Sequence, residues 1–369
     1  MFYRRGVEHR DPASLAVKGR GAPRNDSSRR FNLPQRQADG DWLDVRALIN
    51  DSPPPLRTTV TIEHPGSILS RNTSPDLPFD QPINAYRGCE HGCIYCYARP
   101  THAWLDLSPG LDFESRLFAK PDAARLLREA LRKPGYVPKV IALGTNTDPY
   151  QPIEAQYRIT RSILETCLEA RNPVAITTKS DRVLADVDLL AQMAQMDLVA
   201  VALSVTTLDG TLARTLEPRA AAPRKRLAAM RALADRGIPV HINVSPVIPA
   251  ITDHEIEALV AAGAAAGALS ASFIPVRLPH EVAPLFRAWL DTHFPDRAGK
   301  VMTIIREMRG GRDNDPRFGA RMRGTGPWAE LIGTRFRLAV RRAGLNGHTW
   351  RMSVDNFSAP ADGTQGELF

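Results

Sequence analysis

INAYRGCEHGCIYCYARP, residues 83–100, decides how the rest of the chain is read. It begins with a short apolar stretch that suits a strand, and at Gly88 it turns into a loop holding Cys89, Cys93 and Cys96 at C-x₃-C-x₂-C spacing. Downstream, short apolar runs alternate with longer amphipathic ones. INAYRG (83–88), KVIALGT (139–145), PVAITTK (173–179), LVAVALS (198–204), VHINVSP (240–246) and SASFIPV (270–276) read as strands, apolar on both faces as in a parallel sheet covered by helices. Segments 122–133, 159–171, 183–195, 223–237 and 254–267 carry helical periodicity between them. Six such βα repeats predict an α/β fold, a partial (β/α)₆ TIM-like barrel. Chemistry in such barrels sits at the C-terminal strand ends, and polar residues gather there: Thr145 to Asp148, Lys179 to Asp181, Ser204 and Ser245.

Three of the chain's four cysteines fall within eight residues, too few and too clustered for a disulfide framework. Gly88 and Gly92 let the loop curl around a bound object. A structural zinc normally takes four ligands, and here the fourth is missing. Three thiolates suit an iron–sulfur cluster, where they leave one iron of a four-iron cube open to a further ligand. The alternative is a zinc-containing nucleic-acid-binding module that recruits His91. Cys167 lies within a helical segment, where a cysteine behaves as a small buried hydrophobe.

The 369 residues can bury one large core with appendages. No run of about 18 apolar residues is present, and the opening residues lack the apolar stretch of a secretory signal; a cytoplasmic protein without a membrane partner is expected. Charge is uneven. Residues 1–36 hold nine basic and three acidic residues, residues 306–351 eleven and four, and the total of +8 leaves the middle at −5. Basic ends of this kind would meet a polyanion such as DNA or RNA, although they also aid solubility. Residues 1–56 mix Arg, Asp, Ser and Pro without a period, and predict a disordered basic arm and linker. The barrel core then spans 57–280, a helical and Arg-rich extension 281–345, and a tail 346–369. In the extension, 281–295, 299–309 and 328–345 read as helices. Arg317, Arg321 and Arg323 are candidates to grip phosphates, with Phe318 and Trp328 available to stack on a base.

The cysteine spacing after a first barrel strand, with an aromatic residue before the last cysteine, resembles the radical S-adenosylmethionine (SAM) superfamily. AYRGCEHGCIYCYARP, GTNTDPYQPIE, TTKSDRV, ALSVTT and VSPVIPAITD, in that order, resemble its branch containing spore photoproduct lyase and photolyase-like relatives. The resemblance implies that Cys89, Cys93 and Cys96 hold a [4Fe–4S] cluster whose open iron takes SAM. It places Tyr95 near the adenine, Thr147 and Asp148 near the amino group or ribose, Lys179 on the carboxylate and Ser204 near the ribose. Reduction of SAM would yield a 5′-deoxyadenosyl radical that abstracts hydrogen, with an external electron donor of the flavodoxin or ferredoxin type. The lyase carries a hydrogen-donating cysteine before its Thr-Ser-Asp element; residues 142–148 hold none. Tyr150 is the candidate to take that role, and the lyase's substrate does not carry over.

Overall fold

The computed structural model describes residues 19–31, 56–346 and 352–361. Strands are numbered in chain order, as are helices of eight residues or more.

Six parallel strands form the central sheet in the spatial order β2 (Gln81–Ile83), β5 (Ile141–Leu143), β6 (Val174–Thr178), β7 (Val199–Ser204), β8 (Val240–Val247) and β9 (Ser270–Pro275). Apart from the first, each follows its sequence neighbour across the sheet, as right-handed βα crossovers require. The crossovers contain α1 (Ala123–Leu131), α2 (Ile159–Glu169), α3 (Val187–Ala194), α4 (Pro223–Ala234) and α5 (Ile256–Ala265). Pro223 begins α4, where its missing N–H costs no hydrogen bond. The partial (β/α)₆ barrel expected from the sequence is the fold observed.

The two faces of the sheet differ in a way that the apolar pattern conceals. On β8, Val240, Ile242 and Val244 are buried in the main core, while His241, Asn243 and Ser245 on the opposite face are only partly buried. Register pairs His241 with Ser270 and Asn243 with Ser272, and Ala175, Thr177 and Ala202 continue this inner wall. Small and polar side chains thus line the inside of the barrel, and large aliphatic ones pack under the helices.

The first strand departs from the expected span. β2 ends at Ile83, and β3 (Tyr86–Arg87) joins a separate sheet in the order β1 (Thr59–Ile62), β4 (Arg116–Ala119), β3. Asn84 marks the break, because its side-chain oxygen accepts the backbone N–H groups of Asn146 and Thr147 at 3.2 and 3.4 Å.

The disordered arm proposed for residues 1–56 needs correction where it is described. Residues 19–31 lie against the barrel, with Ala22 and Ser28 buried, because the carboxylates of Glu114 and Glu281 accept their N–H and O–H groups. Residues 1–18 and 32–55 of that arm lie outside the described residues.

The C-terminal helices share cores with the barrel. α6 (Val282–His293) and α7 (Pro295–Glu307) bury Phe286, Trp289 and Val301 in one cluster with Cys93, Ile94 and Tyr95. α8 (Gly326–Arg342) packs on α5 and β9, with the Phe336 and Phe273 rings 4.6 Å apart. In the tail, Ser353 and Ser358 donate their backbone N–H groups to the carbonyls of Asp197 and Ala170. Among the described residues no helix is long and apolar enough to cross a membrane.

Candidate active site

The cysteine loop leaves β3 through Gly88, whose φ is +74° and where a Cβ would lie 2.6–2.9 Å from Leu117, Phe113 and His102. Only glycine fits both constraints. Gln151, just beyond β5, grips the loop from both directions: its carbonyl accepts the Glu90 N–H and its amide donates to the Gly88 carbonyl. On the other flank, the backbone N–H of Ile94 donates to Leu216 and that of Arg219 to His91.

Cys89 and Cys93 are buried, Cys96 is partly buried, and all three are free thiols. Burial pushes each thiol pKa up, and for Cys89 the neighbouring Asp148, Cys93 and Cys96 raise it further. Lys179 acts in the opposite sense on Cys93 and Cys96. Three thiols gathered in one desolvated loop form a donor set that positive charge from iron would stabilise as thiolates. The residues present therefore fit an iron–sulfur cluster. Among the described residues no three His, Cys, Asp or Glu side chains are gathered closely enough to hold a single metal ion.

Around the loop, the structure brings together most of the residues singled out by sequence. Tyr95 is buried, and the Lys179 ammonium lies 5.9 Å from its ring centroid. Asp148 has its carboxylate turned inward. It accepts from the Thr178 hydroxyl at 2.6 Å, from the Lys179 N–H at 2.7 Å and from the Tyr150 N–H at 2.9 Å, with His91 Nδ1 at 3.3 Å. Burial alone would raise its pKa, but His91 and these donors hold it down at about 2. Thr147 donates its hydroxyl to the Tyr86 carbonyl. Asp148 and Thr147 thus organise the strand ends, and each spends its main hydrogen-bonding capacity within the protein. Ser204 is buried at the end of β7, and its carbonyl accepts from Arg226 at 2.9 Å.

Tyr150 is turned away from the hydrogen-donor role expected of it. Its ring sits in the main core, and its hydroxyl donates to Asp186 at 3.0 Å. The Asp148-to-Tyr150 turn points neighbouring side chains in different directions, so proximity in sequence misled. Tyr97, directly after the last cysteine, is the tyrosine that sequence reasoning passed over. It is 46% exposed, its hydroxyl donates to the Thr145 carbonyl, and the Arg277 guanidinium lies 4.9 Å from its ring centroid.

Glu217 and Arg226 were also missed. Glu217 accepts from the hydroxyls of Tyr95 and Thr206 and pairs with Arg226. Its pKa is held at about 2, against the upward push of burial, by Arg226 and Lys179.

The Arg-rich loop offers less free charge than its composition suggests. Arg317 pairs with Asp315 at 2.7 Å, and Arg321 pairs with Asp76 at 2.6 Å and lies 4.7 Å from the Phe318 ring. Arg323 is exposed. Phe318 is open to solvent, while Trp328 packs against the core.

The radical SAM superfamily model matches residues 83–262. An uncharacterized protein of Mycobacterium tuberculosis is 37% identical over 232 residues, covering 62% of this chain and 68% of that one. Among solved structures, spore photoproduct lyase complexed with dinucleoside spore photoproduct matches at 16% identity and TM-score 0.55, over 77% of this chain and 79% of that one. A mutant of that lyase with bound SAM and the same dinucleoside matches at TM-score 0.52 over the same shares, also at 16% identity. Those likenesses speak for the fold. With the cysteine loop at the mouth of a six-stranded parallel barrel and the family match running from that loop through β8, the chain belongs to the radical SAM superfamily, whose members use an iron–sulfur cluster and SAM.

Proposed function

We propose that this enzyme binds a [4Fe–4S] cluster on Cys89, Cys93 and Cys96 and SAM beside it, and uses them to abstract hydrogen from a substrate in the barrel. The observation that carries the reading is the convergence of three buried or partly buried free thiols with Lys179 and the buried Tyr95 at one end of the sheet. When bound and reduced, the cluster supplies the electron that cleaves SAM to methionine and a 5′-deoxyadenosyl radical.

The chain's own residues have separate tasks. The Lys179 ammonium, which makes no hydrogen bond within the described chain, would donate to the SAM carboxylate. Tyr95 would bound the adenine side, held by Glu217. Ser204, beside Asn243 in register, would face the ribose. Asp148 and Thr147 would act mainly by fixing the backbone of Lys179 and Tyr86, a narrower role than direct ribose contact. The inner wall of small and polar side chains leaves room for substrate and keeps bulky hydrogen donors from the reacting atoms. Tyr97 replaces Tyr150 as the tyrosine placed to face substrate. A cytoplasmic location and an external electron donor of the flavodoxin or ferredoxin type follow from the same reading.

A nucleic-acid substrate remains the favoured class, on the charge of the C-terminal region and the fold shared with a lyase complexed with a dinucleoside spore photoproduct. The zinc-module alternative is disfavoured, because a structural zinc takes four ligands where the loop offers three cysteines, and residues 83–262 match the radical SAM superfamily model. The reading is tested by incubating anoxically reconstituted protein with dithionite and SAM and measuring 5′-deoxyadenosine. Release by the wild type supports it, and its absence from protein carrying a full cluster would refute it.

A further inference from the structure

Beneath the cysteine loop lies an ion pair with no exposed surface on either side chain, Arg99 with Glu114 at 2.5 Å. We propose that these two, pressed down by residues 20–28, are positioning residues that hold the loop in ligand-ready shape whether or not a cluster is bound.

Arg99 spends all five of its N–H donors. Nε donates to the Cys93 carbonyl at 2.9 Å and one terminal nitrogen to the Gly92 carbonyl at 3.1 Å and to Glu114. The other donates to the carbonyls of Pro109 and Gly110. One planar fork thereby joins the turn of the cysteine loop to the segment that leads into Glu114, a geometry that a lysine ammonium cannot copy. Glu114 turns its remaining capacity outward. Its two oxygens accept the consecutive backbone N–H groups of Gly21 and Ala22 at 2.9 and 2.7 Å, and its carbonyl accepts from Arg20 at 2.6 Å.

The contact of that segment with the loop is direct. A Cβ on Gly21 would lie 1.8 Å from the Gly92 carbonyl oxygen, so only glycine lets the two backbones meet. Further along, Asn25 exchanges hydrogen bonds with Asp112, the Asp26 carbonyl accepts from Ser108, and Ser28 donates to Glu281 at 2.5 Å. The residues 20–28 thus lie as a strap across the loop. Gly92, at φ +67°, gives the loop a soft point between two of its cysteines, so the loop depends on contacts from outside to keep its shape. A buried ion pair often adds little to global stability. Here its donors end on the carbonyls beside Cys93, which gives the pair a local task.

The proposal rests on the cysteine loop as the cluster site, and its test separates the two claims. In metal-free full-length protein, the rate of alkylation by iodoacetamide is measured at each cysteine by mass spectrometry. Cys167, fully buried in the main core, reports global opening. Gly21→Ala unseats the strap without unpairing a charge, Glu114→Gln and Arg99→Lys break the fork, and Gly66→Ala, where nothing lies within 4 Å, is the control. Cys89 and Cys93 should react roughly tenfold faster relative to Cys167 in the first three variants, the size expected from losing one charge-assisted hydrogen bond. Iron-loaded protein should release iron to a chelator faster in the same three variants. Unchanged loop reactivity in Gly21→Ala and Arg99→Lys would overturn the proposal, as would acceleration of Cys167 in step with the loop, since the pair would then hold the barrel as a whole. Failure of the wild type to load iron while the alkylation pattern holds would count against the cluster and leave the strap standing.

Discussion

Lys179 holds its ammonium 5.9 Å from the centroid of the Tyr95 ring, so a side chain from the end of β6 faces one from inside the cysteine loop across the mouth of the barrel. The same ammonium offsets part of the rise that burial gives the pKa of Cys93 and Cys96, and it stabilises the Glu217 carboxylate. Its contribution is a positive charge beside the Cys93 and Cys96 thiols and the Glu217 carboxylate.

Lys179→Ala should therefore weaken SAM binding about 10- to 100-fold, the equivalent of one charge-assisted hydrogen bond, while iron content stays at the wild-type level. Anoxic calorimetric titration of the loaded protein with SAM measures the first, and iron analysis the second. Unchanged affinity would move the SAM carboxylate elsewhere.

Glu217 and Arg226 are each 1% exposed. Glu217→Gln leaves a buried guanidinium without its counter-charge, and should cost about 3–5 kcal/mol in urea unfolding. Tyr95→Phe removes one hydroxyl from the same carboxylate and should cost only about 1 kcal/mol. Equal losses in the two variants would show that the ion pair is not what holds this corner.

Acid should destabilise the protein in two stages. His102 and His241 are kept neutral by burial, with pKa values lowered from 6.5 to about 4. In that window the unfolded chain binds the extra protons, so stability falls as pH drops from 6.5 and this contribution levels off below about 4. Asp148 and Glu217 have folded pKa values near 2, below their unfolded values of 3.8 and 4.5. The stability they add is complete above pH 4.5 and is lost as pH falls toward about 2. Urea midpoints across the range give the profile, and His241→Asn should flatten the upper stage alone. A variant profile parallel to the wild type would exclude His241 as its source.

Replacing Arg317, Arg321 and Arg323 together by Gln tests the nucleic-acid reading with a number attached. Asp315 and Asp76 already neutralise two of them, so the slope of log K against log salt for DNA or RNA should fall by about one. A fall of about three would mean that both ion pairs open for phosphate. No change would remove this loop from the interface.

The sequence made the barrel and its cysteine loop legible because both are written locally: strand-length apolar runs, helical periods and a glycine-flanked cysteine triad leave patterns within ten or twenty residues. The partners that fix the loop are not written that way. Glu114 meets Gly21 across 93 positions, and Tyr95 meets Glu217 across 122, and neither acid differs in its local setting from one facing solvent. Residues 20–28 read as disordered for the same reason, since their order comes from carboxylates elsewhere in the chain. Tyr150 failed in the opposite sense, because local adjacency to Asp148 suggested a site residue and the turn sent its ring into the core.

The most direct test of the central claim is the iron and acid-labile sulfide content of anoxically reconstituted protein, in the wild type and in single Cys→Ala variants. The wild type should hold about four irons and as many sulfides per chain, with a broad thiolate-to-iron absorption. Cys89→Ala, Cys93→Ala and Cys96→Ala should each lose the cluster, and Cys167→Ala should keep it. Stoichiometric zinc without sulfide in the wild type, or a full cluster in any of the three loop variants, would contradict the assignment.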